Sequence, residues 1–272
     1  MAEAGLSLPS PFVPAPQPEG LLARAVVSAR TRAVRSLKLR ALRSHLGEPL
    51  VSFSFDDFPR SALTVGGEIL RNAGWTGTYY VAGSICGRRI AGIDYFDRED
   101  LIRAEREGHE IGCHTFSHFR LGSVASSVIL ADLERNADFV RSLLPQRRLS
   151  SFAYPFGDVG LRAKVLMARQ FPVCRGIWAG LNRGRMDFAQ LRSVGIERRS
   201  LDESAIESWL DRAVASKAWL IFFMHDISDN PTPFGCPRDV FARIVASVAR
   251  RRIKVLPVKN AAGLAAASFR TA

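Results

Sequence analysis

Three places along the chain put cation-binding or proton-moving side chains at the end of an apolar run. Val51-Ser-Phe-Ser-Phe alternates apolar and polar positions, as a strand does, and then runs into Asp56-Asp57. Glu110-Ile-Gly-Cys113 is followed by His114 and His118, four apart, and the apolar run Trp219 to Met224 ends at His225-Asp226. Burying one ionised carboxylate is costly and burying two is worse, so a strand ending in Asp-Asp ends at a cation or at an open site. Taken alone, the pair is equally well read as a solvated turn or a helix cap. Two histidines four apart can turn both imidazoles toward one metal ion. With Asp57 as third ligand, positions stay open for water and substrate, which separates a catalytic metal site from a structural one. The plain alternative for the pair is surface or helix-capping histidines.

For these groups to meet, the elements that carry them must converge. After the Asp57 strand, a helix is expected over 61–73, a strand over 77–81, a helix over 97–108 and a strand over 110–113. A long helix over 123–144, a strand over 151–154 and a helix over 161–170 follow. Strands are expected at 173–178 and 192–197, and Ser200-Leu-Asp-Glu203 matches a capping box opening a helix to about 216. The strand 219–225, a helix over 237–250, the strand 253–258 and a small Ala-rich helix complete the chain. Strands alternating with helices imply parallel βα units in a barrel or an open sheet, where chemistry collects at the carboxyl ends of strands. No internal repeat and no second domain is evident.

Residues 1–20 are rich in proline and read as an extended or disordered arm. Residues 21–46 read as a basic amphipathic helix, with Leu22, Val26, Ala29, Ala33, Leu37 and Ala41 at helical spacing among arginines. Such a helix either lies on an anionic membrane or polymer, or packs on the domain with a solvated arginine face. Residues 47–272 form the expected catalytic domain.

The chain has 272 residues, 47% of them hydrophobic, and a mean hydropathy of +0.02, which suits a soluble domain with a sizeable core. Its formal net charge of +12 points to anionic partners. Cys86, Cys113, Cys174 and Cys236 are widely spaced and form neither a zinc ribbon nor a redox motif, so free thiols are expected. The first 20 residues lack the pattern of a signal peptide, and no apolar run is long enough to span a bilayer. The expected location is the cytoplasm, with peripheral contact to the inner membrane through 21–46 as an extension of that reading.

Four segments, in order, resemble the polysaccharide deacetylases, the NodB-type carbohydrate esterases of family 4. Ser54-Phe-Asp-Asp57 resembles their first motif and His109-Glu-Ile-Gly-Cys-His-Thr-Phe-Ser-His118 their second. Tyr154-Pro-Phe-Gly157 resembles the third, and Phe223-Met-His225 the last. The resemblance implies an α/β fold, a distorted (β/α)7 barrel, and a metal-dependent hydrolase that removes acetyl groups from a saccharide. It implies Asp56 as catalytic base, Asp57, His114 and His118 as ligands of a divalent metal, expected to be zinc, and His225 as general acid. Phe156 occupies the place whose backbone N–H holds the oxyanion, and Phe223 that of an acetyl-pocket residue. Tyr154, Pro155 and Asp226 complete the expected substrate side, although Asp226 is equally well read as the start of the next loop.

The chemistry suits these roles, since a bound divalent metal lowers the pKa of its water from about 15.7 to about 7. Donors aimed at the oxyanion act on charge that exists only in the transition state. The sequence departs from the family in places. Phe58 stands where a glycine follows the aspartates, Ala153 stands nearest the third-motif arginine, and the aspartate–tryptophan fourth motif has no match, Trp178 and Asp187 being out of pattern.

The expected substrate is an acetylated saccharide, N-acetyl first, in an anionic, nucleotide-linked or lipid-linked form. Other functions are a carbon–nitrogen hydrolase of a small non-sugar amide on the same scaffold, and an inactive polysaccharide-binding module. Specific nucleic-acid binding is not expected, because no recognition motif is present.

Overall fold

In the computed structural model, which describes residues 31–268, the chain enters the domain through a short strand, β1 (Ala41–Ser44), and then forms the central strand β2 (Leu50–Asp56). A π-helical stretch, Ala62–Gly67, runs into α1 (Glu68–Asn72), and β3 (Thr78–Val81), α2 (Arg98–Arg106) and β4 (Glu110–Cys113) follow. Next come α3 (Ser126–Leu143), β5 (Ser151–Ala153), α4 (Leu161–Gln170), β6 (Val173–Arg175) and β7 (Gly184–Asp187). The last part holds β8 (Val194–Gly195), α5 (Glu203–Ala215), β9 (Trp219–Met224), α6 (Arg238–Arg250), β10 (Lys254–Val255) and α7 (Val258–Ala267).

Seven strands lie side by side in the order β8-β9-β2-β3-β4-β5-β6, every neighbouring pair parallel, and β10 pairs with the first residues of β2. The sheet curls, and an irregular segment spans the gap between its edges. Cys174 N–H donates to Phe188 O (2.8 Å), Leu191 N–H to Cys174 O (2.8 Å) and Gly176 N–H to Leu191 O (3.0 Å), and the same segment runs on into β8. The result is an incompletely closed parallel α/β barrel, which gathers all its strand C-termini at one mouth.

All seven residues of β2 are buried, so its alternation separates two covered faces rather than a wet face and a dry one. Phe53 and Phe55 face the helices and meet the Phe241 ring of α6 edge-on at 5.5 and 6.0 Å. Each such buried ring contributes roughly 1.5–3 kcal/mol. Ser52 and Ser54 point the other way, and their hydroxyls donate to Leu256 O (2.6 Å) and Phe222 O (2.8 Å). Small satisfied side chains on that face leave room for Asp56, which shares their parity.

The helix expected over 21–46 is corrected by the structure. Residues 1–30, which include the expected arm and the start of that helix, lie outside the described residues. Of the rest, 31–36 is helical, and 41–44 is strand β1, paired antiparallel with β7. An open strand edge at β7 offers backbone partners that outweigh the helical spacing of the side chains. The basic side chains here bind backbone: Arg40 Nη1 donates to Ala168 O and Phe171 O, and Lys38 Nζ to Arg185 O. From below, the fully buried Lys164 donates to Val34 O (2.9 Å) and Leu37 O (2.6 Å), with Asp187 Oδ2 at 2.8 Å. The cap of α5 also differs from expectation. Asp202 rather than Ser200 accepts the Ala205 N–H, and Ser200 lies in a 3-10 turn. No helix among the described residues is long and apolar enough to cross a membrane. The four cysteines are free.

Candidate active site

Every predicted chemical residue sits at or just beyond the C-terminal end of a parallel strand. Asp56 ends β2 and Asp57 follows it, His114 follows β4, Phe156 lies beyond β5, and His225 follows β9. The backbone is strained where the donors turn inward. Asp57, Phe58, Thr115, His118 and Phe156 all have positive φ, from 49° to 63°. At Phe58 (φ 54°) the strain that glycine would avoid is met by full burial of the ring against Tyr79 and Phe96, at 4.6 and 4.9 Å.

Asp57, His114 and His118 are buried, and one donor atom of each lies within 4.8 Å of the others. Asp57 Oδ1 is 3.4 Å from His114 Nε2 and 3.0 Å from His118 Nε2, yet it is buried without an aligned hydrogen-bond donor. His114 Nδ1 lies 2.8 Å from Ala153 O; read as the N–H donor, it leaves Nε2 as the lone-pair nitrogen facing Asp57. Burial alone would raise the Asp57 carboxyl, but His118, His114 and His225 together hold it well below the usual carboxylate range. Burial lowers His114 to about 4, so its ring is neutral at pH 7. One carboxylate and two imidazoles converging on one buried point are the donor set of a transition-metal site. These residues fit a divalent ion such as zinc.

Asp56, the residue before Asp57, is buried and paired with Arg175. Arg175 is fully buried, its guanidinium between the rings of Tyr80 and Phe223, 5.1 Å from each centroid. Sequence reasoning missed it, because the family's arginine belongs one strand earlier. Ala153 fills that place, and β6 puts Arg175 in register beside it. The available signal was a charged residue within the apolar run Val173 to Trp178. Glu197, just past β8, was also missed. Its Oε1 lies 3.9 Å from His225 Nδ1, and its Oε2 accepts from Arg199 at 2.9 Å. His225 is the most open of these groups, 23% exposed, with Nε2 at 3.7 Å from Asp57 Oδ2.

The other expected residues are placed as follows. Phe156 packs its ring 4.6 Å from that of His118, under the Arg120 guanidinium. Tyr154 is buried and its hydroxyl donates to Ala189 O (2.9 Å), pointing into the wall rather than the mouth. Pro155 is buried, and Phe223 lies beneath Arg175. Asp226 accepts from Thr232 N–H (2.9 Å) and Thr232 Oγ1 (2.5 Å), and so closes the loop that carries Phe234 past His225. Asp187, the out-of-pattern acid, holds Lys164.

At the mouth of a curled parallel barrel stand an Asp-His-His cluster that could hold a metal ion, a buried Asp–Arg pair and a histidine, a set of groups suited to hydrolysis. The polysaccharide deacetylase family model matches residues 43–171 of this chain. Among solved structures, a family 4 carbohydrate esterase from Bacillus anthracis is 13% identical with a TM-score of 0.56, over 89% of this chain and 93% of that one. Bacillus subtilis PdaA, also a family 4 carbohydrate esterase, is 13% identical with a TM-score of 0.55, over 88% and 89%. A mutant of a CE4 family pseudoenzyme is equally similar in fold, at 13% identity and a TM-score of 0.56, over 84% and 72%. Identities this low speak for the fold, and activity rests on the site. No curated protein matches the sequence.

Proposed function

We propose that the protein hydrolyses acetyl groups, N-acetyl first, from a saccharide. The observation that carries this is the convergence of Asp57, His114 and His118 on one buried point, with Asp56 next to Asp57 in the chain and His225 Nε2 3.7 Å from Asp57 Oδ2. Asp57, His114 and His118 would hold a divalent metal, zinc by donor type, which would supply a nucleophilic water at neutral pH. Asp56 is placed to accept a proton from the attacking water, and its pairing with Arg175 fixes the direction of its carboxylate. The Phe156 N–H, aimed by the positive φ of that residue, donates to the oxyanion. His225, steadied by Glu197, returns a proton to the leaving nitrogen or oxygen, and Phe223 bounds the acetyl methyl. The net charge of +12 favours a substrate bearing anionic groups.

The test is mass spectrometry of a panel of acetylated sugars and small non-sugar amides after incubation with metal-loaded protein. Loss of acetyl from a sugar that disappears in Asp56→Asn is expected. Turnover of the small amides alone would move the assignment to a different substrate. No turnover at all, with stoichiometric metal, would make the protein a binding module.

A further inference from the structure

We infer that the cavity between the 178–183 loop and the C-terminal end of α5, away from the barrel mouth, is a binding site for a phosphate group. The cavity, of about 440 Å³, is lined by Arg183, Arg192, Arg212, Trp209 and Ser216, with no acidic residue in its wall. It lies at the other end of the barrel from the metal-binding residues. Asn182, in the loop that forms one wall, exchanges backbone hydrogen bonds with Trp219, the first residue of β9 (2.9 Å each way).

Arg192 is built into this wall. Its own N–H donates to Asn182 Oδ1 (2.9 Å), and its carbonyl accepts from Asn182 Nδ2 (2.9 Å). Its guanidinium stacks on the Trp178 ring at 3.8 Å, and Arg35 lies 5.5 Å from the same ring. The other side of Arg192 rests on Gly180, where any Cβ would come within 2.5 Å of Arg192 Cδ. Burial lowers the guanidinium from its usual range, with no opposing carboxylate. Arg212 lies over Trp209 at 4.2 Å and Arg183 is exposed at the rim.

Elsewhere on this protein, arginines find acids: Arg60 pairs with Asp100, Arg103 with Glu107, Arg243 with Glu203 and Arg251 with Asp211. Among the described residues none of the three guanidiniums at the cavity has such a partner. Nor do they cap α5. Its last carbonyls, of Arg212, Ala213 and Val214, take the N–H groups of Ser216, Ala218 and Lys217 instead. Like charges gathered around one hollow repel each other unless an anion sits among them. Planar guanidiniums such as those of Arg192 and Arg212, held over the Trp178 and Trp209 rings, suit the tetrahedral oxygens of a phosphate.

The test is calorimetric titration of the metal-loaded full chain with inorganic phosphate at low salt, paired with co-sedimentation on phosphatidylglycerol–phosphatidylcholine vesicles. Saturable phosphate binding is expected. It should weaken at least about tenfold in Arg192→Gln and in the surface double variant Arg183→Gln/Arg212→Gln, and should not change in Arg243→Gln. The double variant alters exposed side chains and guards against misfolding, checked by an unchanged melting temperature. Loss of phosphate binding alone assigns the site to a soluble phosphate compound. Loss of vesicle binding as well assigns it to a lipid headgroup. Absence of saturable binding in the parent protein, or equal binding in all variants, overturns the proposal.

Discussion

Arg175 reaches Asp56 from a strand four places away in the sheet, and both partners are buried. Because Arg175 is in register with Ala153, the two side chains leave the sheet on the same face. Replacing Arg175 by Ala strands the Asp56 carboxylate in a dry interior. The expected cost is about 3–5 kcal/mol of stability together with loss of most activity. The swap Ala153→Arg/Arg175→Ala returns a guanidinium to the same face, so its urea midpoint and turnover should lie between those of Arg175→Ala and the parent. A swap no better than Arg175→Ala would refute the shared-face argument.

The Asp57 cluster predicts metal content as well as activity. Elemental analysis should find one divalent ion per chain in the parent and a small fraction of that in Asp57→Ala and His118→Ala. If the ion binds only the folded chain, a chelator should lower the melting temperature of the parent, and far less that of the variants.

At the mouth, His225→Ala should reduce kcat by about 10²–10⁴-fold, the usual contribution of a positioned acid. Glu197→Gln keeps the shape but removes the charge 3.9 Å from His225 Nδ1. A smaller fall in kcat is expected, with KM little changed. Arg199→Gln, which touches Glu197 but not His225, should do less again. Equal effects of the two would show that Glu197 acts only on its loop.

The buried His109 makes stability depend on pH. Its Nδ1 accepts the Gly77 N–H at 3.0 Å, and burial lowers it from 6.5 to about 4, so the folded ring stays neutral where the unfolded one takes a proton. Its contribution is therefore full above pH 6.5 and lost as pH falls from 6.5 to about 4, on the order of 3 kcal/mol in all. His109→Asn keeps an acceptor for Gly77 but does not titrate there. The difference between parent and variant in urea midpoint should shrink or reverse between pH 7 and pH 4.5, and a constant difference would remove His109 as the cause.

Lys164→Met removes the cation that holds Val34 O, Leu37 O and Asp187 together. With Asp187 left buried, a loss of about 3–5 kcal/mol is expected. Metal content should be unchanged, because none of these residues touches the donor cluster. Limited proteolysis should cut first near residues 31–44 in that variant.

That Asp56-Asp57, His114 and His118 stand at strand ends was legible in the sequence because it is a local feature, and that the Asp57, His114 and His118 side chains meet was not. The alternation of Ser52 and Ser54 with Phe53 and Phe55 likewise announced a strand, but not that both of its faces are covered. What only the tertiary structure decided was which distant residues share a face. The order of parallel strands puts Arg175 against Asp56 and Glu197 beside His225, and it turns the Tyr154 hydroxyl into the wall. It also made residues 41–44 a strand, because a free edge at β7 was there to pair with. Those outcomes depend on the cost of leaving buried charges and backbone groups unpartnered, and that cost is defined only once the whole barrel has closed around them.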